Sequence, residues 1–227
     1  MSKGKISVRR ELREPDAFVK TTYTVLDYCK KHLKVISITA VIAVIAGATA
    51  IGSFWYSSDR NHKAQLLLNQ ALTALQNQPA ENQAEASQQL STIITTYKST
   101  SVEPVAGYLY ANQQYRAGAL PEAADLYQSN DKNVTRQLKD LEQLGIATIS
   151  FQQNNFDRTI SILEQLQTGR SFINEDLYIL LGLSYEKSKQ PEKAIATYEN
   201  MIQLLQNSVF KPWAEERLLN LRNPVKS

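Results

Sequence analysis

Histidine and cysteine, which often carry catalysis or bind metal ions, are scarce in this chain of 227 residues. It has two histidines, His32 and His62, and one cysteine, Cys29. An apolar segment separates the two histidines, which cannot meet if that segment crosses a membrane. The composition therefore excludes a histidine-based triad or metal cluster, a cysteine-based zinc site and an intrachain disulfide.

Other residues that could act in a reaction do not form a recognisable constellation. The acidic neighbours Glu175 and Asp176 point to different sides of a helix, as do Glu215 and Glu216, so we interpret both pairs as solvated helix faces. The five glycines after residue 60 are dispersed and form no phosphate-binding loop. We predict that the protein is not an enzyme and that it uses no cofactor and no metal ion.

The positive charge of the chain is concentrated at its N-terminus. Residues 1–34 contain nine Lys or Arg and four Asp or Glu, a net charge of +5, whereas the whole chain has +3, so the remainder carries −2. Binding of nucleic acid needs clustered positive charge in a folded domain. The charge distribution therefore argues against a nucleic-acid partner.

A segment of 24 residues without any charged side chain, residues 35–58, follows the basic N-terminus. A helix needs about 20 residues to cross a membrane, so we predict a transmembrane helix over residues 35–56. More lysines precede the segment than follow it, which places residues 1–34 in the cytoplasm and residues 60–227 on the far side. In a bacterium the protein would be a single-pass inner-membrane protein with a periplasmic C-terminal domain. The alternative is a cleaved signal peptide, because residues 46–50 contain small-residue cleavage patterns.

Within the basic segment, Pro15 and Asp16 indicate the start of a helix. Apolar residues follow at mixed spacings of three and four, among them Val25 and Leu26. This pattern predicts a short amphipathic helix at the inner membrane interface, and a charged tail beside the anchor is an equally good interpretation.

The part of the chain from residue 60 onward has apolar residues at helical spacing, interrupted by prolines. Its clearest unit covers residues 175–205, where Gly182 and Ala194 would let two helices touch while large side chains fill the space around them. The same pattern recurs at steps of 35 and 36 residues. The residues predicted to pack these three repeats are Ala111, Ala123, Tyr127, Ala147, Thr159, Leu163, Gly182, Tyr185, Ala194 and Tyr198.

A weaker fourth unit precedes them, with helices near residues 63–77 and 84–97, and residues 212–221 would form a capping helix. We therefore predict an all-α fold: a transmembrane helix, then an α-solenoid of three to four helix pairs with a C-terminal capping helix.

The repeated small and aromatic residues resemble the tetratricopeptide motif. This resemblance implies that the first helix of each pair lines a concave groove that binds other proteins. Transferring the family's groove positions to this sequence selects Tyr108, Asn112, Tyr115, Arg116, Thr148, Phe151, Gln152, Ile179, Leu183 and Glu186. Asp176 stands where members that bind a terminal carboxylate have a basic residue, so the resemblance favours an extended or helical protein segment. The alternative is that Tyr115 and Phe151 are packed between repeats.

The order of a basic segment, one anchor and an exported repeat domain resembles the YfgM-like ancillary subunits of the bacterial Sec translocon. This resemblance implies a periplasmic scaffold that assists protein export or recruits periplasmic chaperones. Its partners would be the membrane, subunits of the translocon or of another envelope complex, and client or chaperone proteins, with no small-molecule substrate. The alternative function is that of a structural assembly factor for one envelope complex, without client-holding activity.

Overall fold

The structure is a computed structural model that describes residues 17–76, 80–128, 134–168 and 175–223. Over these ranges the chain forms ten α-helices and no strand, which confirms the predicted all-α fold. The helices are α1 (Ala17–Lys31), α2 (Leu33–Gln76), α3 (Ala80–Thr96), α4 (Glu103–Arg116), α5 (Leu120–Tyr127), α6 (Arg136–Gln152), α7 (Phe156–Thr168), α8 (Glu175–Lys187), α9 (Pro191–Leu204) and α10 (Lys211–Arg222).

The chain divides into two compact units, Met1–Ser58 and Asp59–Ser227. In the first unit the predicted start of a helix at Pro15 lies outside the described residues. Helix α1 ends with two lysines, Lys30 and Lys31, which complement the negative end of the helix dipole.

Helix α2 is long and apolar enough to cross a membrane, by length and composition, and its most apolar window has a mean hydropathy of 2.3. None of that window is buried within the protein. The hydroxyls of its few polar residues donate to backbone carbonyls one turn back, as Thr39 does to Val35 at 3.0 Å and Thr49 to Ala46 at 2.9 Å. Such internal bonds suit a helix surrounded by lipid, because hydrocarbon offers hydroxyl groups no other partner.

In the second unit the helices form consecutive antiparallel pairs. Three pairs are α4 with α5, α6 with α7, and α8 with α9, and α10 packs on α9. The last part of α2 forms a further pair with α3, because the two share one buried cluster. The first helices of successive pairs also meet, α4 with α6 and α6 with α8. This arrangement is a helical-repeat array with a cap, and it places α4, α6 and α8 on one common surface.

The turns inside the three clear repeats share one geometry. Gly118, Asn154 and Lys189 each have a left-handed backbone, with φ of 80°, 59° and 57°. In each turn the N–H of the next residue donates to a carbonyl five residues back, for example Ala119 to Gln114 at 2.9 Å. This Schellman arrangement satisfies carbonyls that the helix end leaves free. The left-handed residues recur at 36 and 35 residues, the same period as the packing residues.

The interior of the second unit is built from the repeat positions. All ten residues predicted to pack the repeats are buried. Thr159 is fully buried although it is polar, because its hydroxyl donates to the Asn155 carbonyl at 2.9 Å. The weaker first pair contributes its own cluster, in which Leu68 and Ala71 of α2 pack with Leu90 and Ile93 of α3. The array therefore includes four helix pairs among the described residues.

Candidate protein-binding groove

An open pocket of about 320 Å³ lies between the first helices of the three clear repeats. Five of the ten predicted groove residues line it: Tyr108, Asn112 and Tyr115 from α4, Thr148 from α6, and Ile179 from α8. The other lining residues are Tyr127, Leu141, Leu144, Gly145, Asp176 and Leu180. At least one predicted groove residue from each of three successive repeats thus lines the pocket.

Tyr127 reaches this pocket from α5 because Gly145 leaves room for its ring. A Cβ atom at Gly145 would lie 2.6 Å from the Cζ atom of Tyr127, so the ring rests directly on the backbone of α6. The Tyr127 hydroxyl donates a hydrogen bond to the side-chain oxygen of Asn112. Its ring centroid lies 5.9 Å from that of Tyr108. Burial, with a smaller contribution from Tyr108 and Tyr115, raises the pKa of Tyr127 well above its ordinary value.

The far end of α4 is linked to α6 by side chains. The amide of Gln152 donates to the hydroxyl oxygen of Tyr115, which joins two predicted groove residues from neighbouring repeats. Phe151 does not line the pocket, and its ring stands edge-on to Phe156 at 5.4 Å. Arg116 is exposed beyond the pocket. Of these residues only Tyr115 lines the pocket, and Gln152 contacts the groove through its hydrogen bond to Tyr115.

In the third repeat only Ile179 of the predicted groove residues lines the pocket. Leu183 is half-buried and lies outside it. The carboxylate of Glu186 accepts a hydrogen bond from the Tyr198 hydroxyl at 2.7 Å and another from the Nε atom of Arg217 at 3.1 Å. Glu186 thus connects α8 with α9 and α10.

Tyr198 lies at the closest helix contact of the third repeat. A Cβ atom at Gly182 would lie 2.3 Å from the Cε1 atom of Tyr198, and the tyrosine is fully buried. Its ring also stands edge-on to Trp213 of α10 at 5.5 Å. Burial, followed by the hydrogen bond to Glu186, raises the pKa of Tyr198.

Tyr185 connects the third repeat to the second. Its hydroxyl donates to the carboxylate of Glu164 on α7 at 2.5 Å. Burial, followed by this bond, raises the pKa of Tyr185. Tyr185 therefore links neighbouring repeats and does not line the pocket.

The described residues contain no group of three His, Cys, Asp or Glu side chains that could hold a metal ion. Sequence reasoning missed Gly145, Leu141, Leu144 and Leu180 as lining residues. An isolated glycine inside a helical pattern marks a close approach of another chain segment, and Gly145 is such a glycine. The isolated Gly145 could therefore have indicated, from the sequence alone, that another segment packs on α6 at this position.

The repeated pairs and the shared groove define a helical-repeat protein of the kind that generally binds other proteins. The chain belongs to the tetratricopeptide repeat-like domain family, whose model matches residues 27–223. No curated protein matches the chain significantly.

Two solved structures have a similar fold. The crystal structure of a tetratricopeptide repeat protein from Parabacteroides merdae ATCC 43184 matches with a TM-score of 0.57 and 15% identity, over 71% of this chain and 60% of that one. The MamA RS-1 ArsTM double mutant matches with a TM-score of 0.51 and 17% identity, over 70% of this chain and 94% of that one. At these identities the similarity concerns the fold alone.

Proposed function

We propose that this protein is a membrane-anchored scaffold whose groove holds a segment of another protein in the periplasm, at or near the Sec translocon. One observation carries the proposal: side chains from α4, α6 and α8 line a single pocket on the surface where the first helices of the repeats meet. A surface of this kind binds one chain segment across several repeats. Catalysis has no part in this function.

The apolar part of α2 supports membrane anchoring. Its large side chains are exposed, for example Val44 at 71% and Phe54 at 72%, which would be unfavourable in water. Trp55 and Tyr56 follow at the end of the apolar stretch, where aromatic residues commonly meet the membrane interface. The family match starts at residue 27 and therefore includes this stretch together with the repeats.

The composition of the groove supports an internal protein segment as its ligand. Among the described residues, no lysine or arginine lines the pocket, so a free C-terminal carboxylate would find no charged partner there. Tyrosine rings and aliphatic side chains line most of it. Buried aromatic anchors of this kind commonly dominate the energy of protein recognition.

Photocrosslinking in intact membranes tests the proposal. We would replace Tyr115, in the groove, with p-benzoylphenylalanine, and compare it with the same replacement at Ser161, which is exposed on α7 and lies outside the pocket. We expect protein adducts from position 115 and few from position 161.

The pattern of adducts separates the two functions that the sequence leaves open. Many unrelated exported chains, together with translocon subunits, would support the client-holding scaffold. One or two constant partners would instead support a structural assembly factor for a single envelope complex. Adducts from position 161 without any from position 115 would contradict the groove as the binding surface.

A further inference from the structure

The pocket between α4, α6 and α8 is asymmetric in charge. Its one acidic lining residue is Asp176, the second residue of α8, and no lysine or arginine lines it among the described residues. Asp176 is exposed, so its carboxylate can be reached from solvent. Asp176 has another interaction within the chain, but a carboxylate offers about four acceptor positions and can bind a ligand as well. Arg116, which acts on the pKa of Tyr127, does not line the pocket. Among the described residues, Asp176 is therefore the one charged group of the lining, and its complement is a cationic group.

The neutral polar groups of the pocket add acceptors. The proton of the Tyr127 hydroxyl is donated to Asn112, and the proton of the Thr148 hydroxyl is donated to the Leu144 carbonyl at 2.8 Å. Both hydroxyl oxygens keep lone pairs that can accept from a ligand. A ligand group with several N–H donors therefore suits these acceptors better than a carboxylate does.

The rest of the lining is suited to a long side chain with an apolar stem. Leu141, Leu144, Ile179 and Leu180 form an aliphatic wall, and the tyrosines contribute aromatic surface. Lysine and arginine bury their stems against such surfaces while their charged ends reach a polar group. Arginine has the advantage here, because its planar guanidinium is less strongly hydrated, stacks on aromatic rings and carries five donors.

We infer that this pocket binds an arginine side chain that projects from the bound protein segment, with its guanidinium at Asp176. The inference rests on the proposed function, since the segment is the one held in the groove. The volume of about 320 Å³ lies at the small end of the usual range for ligand pockets, about 300–1,000 Å³, and suits one or two side chains. The asparagine amide of Asn112 retains N–H donors for a carbonyl of the same segment.

Four peptides with blocked ends test the inference. They share one sequence of alanine, leucine and serine and differ only at the central residue, which is arginine, lysine, citrulline or glutamate. Binding to the full-length protein in lipid nanodiscs would be measured by fluorescence anisotropy. We expect the arginine peptide to bind about fivefold more tightly than the neutral citrulline peptide, the upper range for an exposed ion pair. Lysine should fall between them, and glutamate should bind most weakly.

A conservative variant connects this preference to Asp176. Asp176→Asn should reduce the fivefold preference for arginine over citrulline to about onefold, because the amide keeps the shape of the side chain and removes its charge. Asp157→Asn is the matched control. Asp157 is also exposed and also the second residue of its helix, α7, but it does not line the pocket. Both variants remove a negative charge from the second residue of a helix, so loss of a favourable helix-dipole interaction is common to both.

The outcomes separate this inference from the proposed function. Equal binding of all four peptides, or an arginine preference that Asp176→Asn leaves unchanged, would overturn the arginine site while groove binding stands. Absence of binding by any peptide to a protein with an unchanged melting temperature would also overturn it. In that case crosslinking from position 115 decides the proposed function separately.

Discussion

Two helical glycines set the closest contacts between helices in the repeats. Gly182 accepts the ring of Tyr198, and Gly145 accepts the ring of Tyr127. Glycine normally weakens a helix by about 1 kcal/mol relative to alanine. This loss of helix stability is offset where a buried aromatic ring packs on the bare backbone of the glycine, because the contact area is large and no cavity remains.

The first prediction concerns Gly182→Ala. A Cβ atom 2.3 Å from the Tyr198 ring requires the ring or the helix to move, so we expect a loss of about 1–3 kcal/mol in the free energy of unfolding. Gly107→Ala is the control, since its nearest neighbour would be Ile94 Cγ2 at 4.0 Å. That variant should gain up to about 1 kcal/mol. Urea unfolding of both variants in detergent measures the difference, and a stabilised Gly182→Ala protein would contradict the contact.

The second prediction concerns alkaline pH. Burial raises the pKa of Tyr127, Tyr185 and Tyr198 in the folded protein above the ordinary value near 10. The folded state thus keeps protons that the unfolded state loses. These groups stabilise the fold fully below about pH 10, and that stabilisation falls by about 1.4 kcal/mol per pH unit for each such group as the pH rises further. Unfolding measured from pH 8 to 11 should be less pH-dependent in Tyr198→Phe, and an unchanged dependence would contradict the assignment.

The sequence predicted the Gly182 contact from its own repeat but did not predict the contact between Gly145 and Tyr127. Ala111 occupies the position of Gly182 in the first clear repeat and lies in the same buried cluster as Tyr127. The Tyr127 ring also packs on the next repeat, where Gly145 leaves space. A repeat pattern read one unit at a time does not describe such a contact between units.

The helix pairs show what periodicity predicts well and what it misses. The helix pairs and the final capping helix followed from the spacing of small and apolar residues. Periodicity did not predict which residues of the first helices line the pocket. That choice depends on how each helix is rotated against its two neighbours. Thus Tyr115 and Thr148 line the pocket, whereas Phe151 packs against Phe156 and Glu186 binds Arg217.

The third prediction concerns the attachment of α10. Arg217 pairs with Glu186, whose side chain is only 13% exposed, so Arg217→Ala leaves a largely buried carboxylate without its cationic partner. We expect a loss of about 1–2 kcal/mol in the free energy of unfolding. Arg222 forms a comparable pair with Glu199, but those side chains are 55% and 48% exposed.

Arg222→Ala is therefore the matched control and should change the free energy by less than about 0.5 kcal/mol. Both variants would be compared by urea unfolding under the same conditions. Equal effects of the two substitutions would mean that burial of the Glu186 pair does not govern the attachment of α10.

The protein has two units: Met1–Ser58, which contains the apolar stretch, and Asp59–Ser227, which contains the repeats. The family match covers parts of both. Composition and charge predicted this division, because a stretch without charge and a stretch with helical periodicity are distinct in a single sequence. Partner identity does not follow from the same information, because one fold can carry many different binding functions.

The fourth prediction concerns orientation in the membrane. Under the positive-inside rule, the lysines before the apolar stretch predict a cytoplasmic N-terminus. Protease added to spheroplasts should therefore digest residues 60–227 and spare the N-terminal segment. Protection of the C-terminal unit would contradict this orientation, and a mature protein that begins near Thr49 or Ile51 would show cleavage in place of anchoring.

The edge-on packing of Trp213 against Tyr198 gives the protein a natural optical reporter. The chain has two tryptophans, Trp55 in the first unit and Trp213 in the second. In a Trp55→Phe variant all tryptophan emission would come from α10. Its wavelength and polarisation would then follow the attachment of that helix directly, without any attached dye. Ligand binding, unfolding and loss of the Arg217 pair could each be followed in the same cuvette.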